Sequence, residues 1–360
     1  MQMPGFGIQS ARKLIHATGT KNAADLFNMP LRDILKVDGI GKSKAVELLK
    51  FDDWKKADRV IAKTEDLGAT LISYTDPEYP QLLRQIYDPP LLLWVKGNHT
   101  VLNLDGLAVV GTRNPGRYGR EQAEKWTKKL TEQGLCIISG LAHGVDSVAH
   151  RETLKAGGKT VAVLGSGIDW IYPDKNRKLA ADICEKGGAV ITEYPPGTKP
   201  DAGNFPERNR IVSGMSHGVL VVESGVKGGS MITARSALDQ NRDVFVIPHP
   251  LGYMRGEGCN YLIRTGQGKL VQTVDDITDE LPVRMKPGIA KETPKILKWT
   301  EMELSGDAKI ICELLEESIL HIDQLTDKTG TPTYKLLPAL LDLEMKGAVR
   351  QKAGKYFELC

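Results

Sequence analysis

From Leu107 onward the chain alternates short, wholly apolar runs with longer stretches whose apolar residues recur every three or four positions. LAVVG at Leu107, LCIISG at Leu135, TVAVLG at Thr160, AVITEY at Ala189, GVLVVES at Gly218 and DVFVIPH at Asp243 are rich in β-branched residues and show no polar alternation. Such runs predict strands buried on both faces. Between them REQAEKWTKKLTEQG, VDSVAHRETLKAGG, KLAADICEKGG and ITARSALDQNR carry helical spacing, the first closed by Gly134. Strand and helix in regular succession predict an α/β fold: an extended Rossmann-like, doubly wound, mostly parallel sheet spanning residues 66–283. Ligands of such a sheet sit at the carboxyl ends of its strands.

The flanks follow other patterns. MPGFGIQSARKLI from Met3 repeats as VDGIGKSKAVELL from Val37, matching Gly5 to Gly39 and Gly7 to Gly41. Each copy opens a helix with a Gly-hydrophobic-Gly turn, so residues 1–65 read as a small helical module resembling helix-hairpin-helix motifs. Glycines there let helix-start N–H groups approach a DNA phosphate, or serve only a hairpin that packs on a neighbour. Residues 70–100 alternate apolar runs with Pro-rich turns and read as a connector with strands of its own, Trp94 belonging to its core. Pro287 and Pro294 punctuate a polar linker over residues 284–300. Over 301–360, three helical patterns and a two-stranded ribbon turning at Ala353-Gly354 give the order of a winged-helix-like domain. Its third helix, Thr333 to Lys346, balances Lys335 and Lys346 against Asp342 and Glu344, which suits protein contact as well as DNA reading.

Composition changes this picture little. A formal charge of +3 over 360 residues permits an anionic partner without demanding one. The five cysteines form no CxxC pair or Cys/His cluster, which argues against a disulfide framework or structural zinc. No apolar run approaches membrane-spanning length and no signal peptide opens the chain, so a cytoplasmic location with no membrane contact is expected.

The chemistry gathers in the loops that leave the predicted strands. GTRNPGRYG supplies Arg113, Arg117 and Arg120, and SGLAHGVDSVAH supplies Ser139, Gly140 and Gly144. GSGIDWIYPDKNRKL carries Lys175, Asn176 and Arg177, and EYPPGTKPDAGNFPERNRIVSG carries Arg208, Asn209 and Arg210. ESGVKGGSMITA places Ser230 and Thr233 at a helix start, and PHPLGYMRGEGCNYLI adds Arg255 and Asn260. Helix starts, glycines and arginines make anion sites, because orphan N–H groups, the helix dipole and bidentate guanidinium groups all favour phosphate. One phosphate needs two or three such donors; this larger supply points to consecutive phosphates, and hence to a polymer. Tyr118, Tyr172, Phe205 and Tyr253 lie in or beside the loops, as packing or as base-stacking platforms.

Enzymatic readings fit the same loops poorly. His143, Asp146 and His150 have the wrong spacing for a zinc HExxH helix, and no G-x-S-x-G elbow supports Ser139 or Ser147 as a nucleophile. Walker A and complete dinucleotide fingerprints are absent, so no cofactor is expected.

GTRNPGRYG, SGLAHGVDSVAH, LGSGIDWIYPDKN, FPERNRIVSGMS and ESGVKGGSMITARSAL, in that order, resemble the DNA-processing protein A family, also called DprA or Smf. The resemblance implies a Rossmann core that binds single-stranded DNA, protects an incoming strand, forms a homodimer and loads the recombinase RecA during natural transformation, without catalysis. It further implies that Arg113 and Lys175 contact DNA phosphates, and that the Gly228 to Ser230 turn and the arginines of ERNR line the same pocket. The candidate nucleic-acid contacts are therefore Gly111, Thr112, Arg113, Arg117, Ser139, Gly140, Lys175, Asn176, Arg208, Asn209, Arg210, Gly228, Gly229, Ser230 and Thr233. The alternative is a nucleoside-monophosphate phosphoribohydrolase, whose signature is PGGxGTxxE. Here GVKGGSMITAR lacks the proline, and Arg235 stands at the glutamate position, leaving Glu193 and Glu223 as substitute carboxylates.

Overall fold

The computed structural model describes residues 8–19, 23–281, 304, 306–345, 348–352 and 355–359. Helices α1 (Ile8–Thr18), α2 (Leu31–Ile34), α3 (Lys42–Leu49) and α4 (Trp54–Asp66) come first. Strand β1 (Ala69–Ser73), α5 (Gln81–Arg84), β2 (Leu92–Gly97), β3 (Gly106–Val110), α6 (Arg117–Glu132), β4 (Cys136–Ser139) and α7 (Val145–Lys155) follow. The alternation continues with β5 (Thr160–Val163), α8 (Arg177–Glu185), β6 (Ala189–Thr192), α9 (Asn204–Gly214), β7 (Gly218–Val221) and α10 (Gly229–Asp239). It closes with β8 (Asp243–Val246), α11 (Glu257–Arg264), β9 (Lys269–Leu270) and α12 (Asp275–Thr278).

These nine strands form one sheet in the order β1-β2-β6-β5-β4-β3-β7-β8-β9. The pairings from β6 through to β9 are parallel, while β1 with β2 and β2 with β6 are antiparallel, so the connector adds an antiparallel edge to a doubly wound core. Register in the centre sets Ala108 beside both Ile138 and Val219. The pleat then splits β3 between two layers: Ala108 and Val110 pack with Ile138, Val163 and Val221, while Leu107 and Val109 pack with Ile137, Leu220 and Phe245. The continuous apolar runs therefore serve two helix layers, as the sequence pattern predicts. The chain leaves β3 for β4 on one side and later returns to place β7 on the other, which creates the crevice where doubly wound sheets hold ligands.

The turn that opens the first copy of the repeat, with Gly5 and Gly7, lies outside the described residues, and the helix of that copy is α1. In the second copy Gly39 takes φ 79° and Gly41 caps α3. The helical segment is tied to the sheet: Lys63 pairs with Asp169 at 2.9 Å, the Trp94 indole N–H donates to Thr64 Oγ1 at 2.9 Å, and Arg12 donates to the Tyr87 carbonyl. It belongs to the same compact unit as the sheet, which runs to Lys286, and a second unit starts at Pro287. The expected linker at 284–300 lies outside the described residues.

The second unit comprises α13 (Asp307–Glu317), β10 (Leu320–His321), α14 (Ile322–Thr329), α15 (Thr333–Met345), β11 (Val349–Lys352) and β12 (Tyr356–Leu359). The two-stranded ribbon gains a third strand, because Leu320 and His321 pair with β12 before α14 begins. His321 then opens α14 in a capping box with Gln324, and Gly330 at φ 66° ends it. Leu336, Leu340 and Leu343 of α15 fill the core, while Tyr334, Leu337 and Leu341 stay exposed on its outer face. No helix among the described residues is long and apolar enough to cross a membrane.

Candidate nucleic-acid interface

A cleft of about 620 Å³ opens at the carboxyl ends of β3, β4 and β7. The loop after β3 is fixed from both sides. Thr112 N–H donates to the Glu223 carbonyl at 2.7 Å, and the Thr112 carbonyl accepts from Val145 N–H at 3.2 Å. Glu223 is wholly buried, and its carboxylate accepts from Gly116 N–H at 2.9 Å just before α6. A Cβ on Gly119 would lie 2.2 Å from Glu223 Oε2, so the glycine is what lets α6 close over that carboxylate. Held in this way, Arg113 is exposed at the mouth, its guanidinium 5.7 Å from the Phe205 ring. The Phe205 ring lies 5.5 Å from that of Tyr172, and both aromatic residues line the cleft. Arg113 has no ion-pair partner among the described residues.

On the opposite wall α10 begins at Gly229, with Gly228 as its cap residue and no side chain capping its first turn. Ser230 Oγ donates to Ser224 Oγ at 2.7 Å, which orients this turn against the end of β7. The N–H groups and dipole of an uncapped helix start are a standing attraction for an anion.

The structure brings Gly111, Thr112, Arg113, Gly140, Arg208, Asn209, Gly228, Gly229, Ser230 and Thr233 to the walls of this cleft. It does not bring Arg117, Ser139, Lys175, Asn176 or Arg210 there. Arg117 is exposed on the first turn of α6 and pairs with Glu121 at 2.8 Å. Lys175 is exposed in a short 3-10 turn before α8. Ser139 is buried and donates to the Val109 carbonyl at 2.7 Å, and Asn176 is buried and donates to the Leu141 carbonyl and Ser147 Oγ, both at 2.8 Å. These two side chains brace loops.

The expectation that both ERNR arginines share one pocket is corrected by secondary structure. The stretch read as a loop forms α9, with Pro206 tolerated in its first turn. Residues two apart on a helix point in nearly opposite directions. Arg208 accordingly turns under the cleft, and Arg210 turns away from it to Glu193, at 2.9 and 2.7 Å, and to Asp88, at 2.8 Å.

Arg208 is itself a brace beneath the site. It is buried and donates to the Gly140 carbonyl at 2.6 Å and to the Val163 carbonyl, joining the ends of β4 and β5. Burial pulls its pKa down to about 10, opposed by the carboxylate of Asp146. Asp146 accepts from Gly140 N–H at 3.2 Å and Ala142 N–H at 3.3 Å, and burial raises its pKa against the pull of Arg208.

The histidine on α7 has a structural place. His150 is buried with Nδ1 2.7 Å from Thr160 Oγ1, and burial lowers its pKa to about 3. A ring kept neutral in the core and away from the cleft makes no triad with Ser139. The substitute carboxylates of the hydrolase reading are likewise engaged: Glu193 by Arg210, and Glu223 by Gly116 N–H and the Tyr253 hydroxyl. Glu223 is a residue whose bracing role sequence reasoning missed, its only signal being its place at the end of an apolar strand run. The cleft's own carboxylates are Asp146 and Asp201, the latter accepting from Gly203 N–H at 2.8 Å.

Residues 70–282 match the model of a family described as DNA recombination-mediator protein A, and residues 299–355 match a DprA winged helix domain. The chain is similar to Protein Smf of Escherichia coli (strain K12), with 33% identity over 326 residues that cover 91% of this chain and 87% of that one. The solved DNA processing protein A of Streptococcus pneumoniae superposes with a TM-score of 0.62 at 33% identity, covering 78% of this chain and 99% of that chain. DNA processing protein A of Helicobacter pylori, whose structure was described for its single-stranded DNA binding mode, superposes with a TM-score of 0.54 at 28% identity. That comparison covers 59% of this chain and 94% of the other.

Proposed function

Since the chain belongs to the DNA recombination-mediator protein A family, we propose that it binds single-stranded DNA in the cleft at the ends of β3, β4 and β7. It does so without catalysis, protects an incoming strand, and as a homodimer hands that strand to RecA during natural transformation. The observation that carries the DNA reading is Arg113: an exposed guanidinium with no ion-pair partner among the described residues, poised over Phe205 in the cleft that the start of α10 also lines. It offers one phosphate a bidentate grip while the exposed ring of Tyr172 beside it offers a face to a base. Gly111, Thr112, Gly228, Gly229, Ser230 and Thr233 supply close backbone approach and short polar side chains along the same walls. Lys175 and Arg117, exposed outside the cleft, are the further phosphate contacts of this reading. The family resemblance carries the RecA, homodimer and transformation steps, and supports the division into a helical segment, the sheet domain and a winged-helix unit.

Anisotropy of a labelled oligothymidine, titrated at two salt concentrations, tests this. Arg113→Ala is expected to weaken binding about tenfold, and to shallow the slope of log affinity on log salt by about 0.7 if one phosphate contact is lost. Lys175→Ala is expected to produce a smaller loss with the same shallowing. Unchanged binding in both variants would move the DNA site away from the cleft.

A further inference from the structure

Behind α9, on the side that Arg210 faces, lies a second and larger cavity of about 1170 Å³. Residues of α4, β1, β2, α9 and α10 bound it, and Pro206 borders both this cavity and the DNA cleft. Its walls are strongly apolar, with Val60, Ile61, Leu71 and Leu92 beside the rings of Phe51, Tyr87, Trp94 and Tyr194. Trp94 is fixed by its hydrogen bond to Thr64, so at least one ring of the wall is held in place.

The charges on these walls are unbalanced. Arg210 is held between two carboxylates, Glu193 and Asp88, which leaves a negative remainder. Asp53, Glu207 and Asp239 add three more carboxylates, against Lys56 as the other cation of the lining. Neither Asp53 nor Asp239 has an ion-pair partner among the described residues. Glu207 accepts from the Tyr194 hydroxyl at 3.1 Å, which sets a carboxylate beside an aromatic ring.

We propose that this cavity binds an organic cation, an amine or guanidine group carried on an apolar or aromatic body. Ring faces and carboxylates both attract a cation, and the apolar walls reward burial of the body that carries it. A nucleotide or a DNA phosphate would meet like charge here, so the cavity is not a continuation of the cleft. The site stands independently of the DNA reading, because, Pro206 apart, α9 presents different residues to the two spaces.

The test titrates the full chain with dansylcadaverine, a naphthalene sulfonamide bearing a primary amine, and with its N-acetyl derivative, which keeps the body and loses the charge. Saturable one-to-one binding of the amine is expected, with the acetylated form about tenfold weaker, the size of combined cation–π and carboxylate contacts. The double variant Asp53→Lys with Asp239→Lys reverses two exposed wall charges and is expected to weaken the amine about tenfold while leaving the acetylated probe unchanged. Its unfolding midpoint and its affinity for oligothymidine serve as controls for an intact fold. Equal binding of the two probes, full amine binding by the double variant, or no saturable binding would each overturn the proposal.

Discussion

Arg208→Met is expected to lower unfolding stability by about 3–5 kcal/mol, seen as a fall in the urea midpoint at neutral pH. Methionine is apolar and comparably long, so the loss is not mainly one of packing. Two strand-end carbonyls, Gly140 and Val163, lose their charge-assisted donor, and each orphaned buried acceptor costs about 1–3 kcal/mol. Asp146, buried beside them, loses the cation that opposes the effect of its burial. Arg208→Lys is expected to fall between wild type and Arg208→Met, because an ammonium restores charge but lacks the guanidinium fork that reaches both carbonyls. Where the lysine variant folds, its affinity for oligothymidine is expected to stay within about threefold of wild type, in contrast to Arg113→Ala. A methionine variant within about 1 kcal/mol of wild type would show that Arg208 does not brace the ends of β4 and β5.

That contrast between neighbouring arginines marks how far the sequence could be read. The parallel core was legible because continuous apolar runs such as LAVVG and GVLVVES have little alternative to a strand covered on both faces. The convergence of Arg113, Gly140 and the Gly228–Ser230 turn followed from the doubly wound topology, which sends every strand-end loop to one edge. Side-chain direction was less legible. GNFPERNRIV contains a proline and many polar residues and reads as loop, yet it folds as α9 and so separates Arg208 from Arg210. Asn176 and Ser139 are polar residues in phosphate-rich company, but their hydrogen bonds with buried loop atoms are visible only once the loops are in place. The larger cavity was out of reach altogether, since its walls come from segments as distant as Phe51 and Gln240 and no local motif announces it.

The position of Arg113 itself depends on a glycine, and Gly144→Ala is expected to cost about 3–5 kcal/mol while also weakening oligothymidine binding. Gly144 adopts φ 76° and ψ −127°, a conformation that only glycine visits freely. A Cβ there would also stand 2.3 Å from the Thr112 carbonyl oxygen and 2.5 Å from that of Arg113. These are backbone atoms, so relief requires the loop after β3 to move as a whole rather than a side chain to turn aside. Moving it breaks the hydrogen bond from Val145 N–H to Thr112 and shifts Arg113 relative to Phe205. Gly157→Ala is the comparison, because Gly157 also has a positive φ, 74°, and a Cβ there would meet nothing within 4 Å, so it carries a positive-φ penalty without the clash. That control is expected to cost about 1 kcal/mol and to leave DNA binding unchanged. Urea unfolding and anisotropy on the two variants separate strain from contact. If Gly144→Ala matched Gly157→Ala in both measurements, the close approach of α7 would not be what positions Arg113.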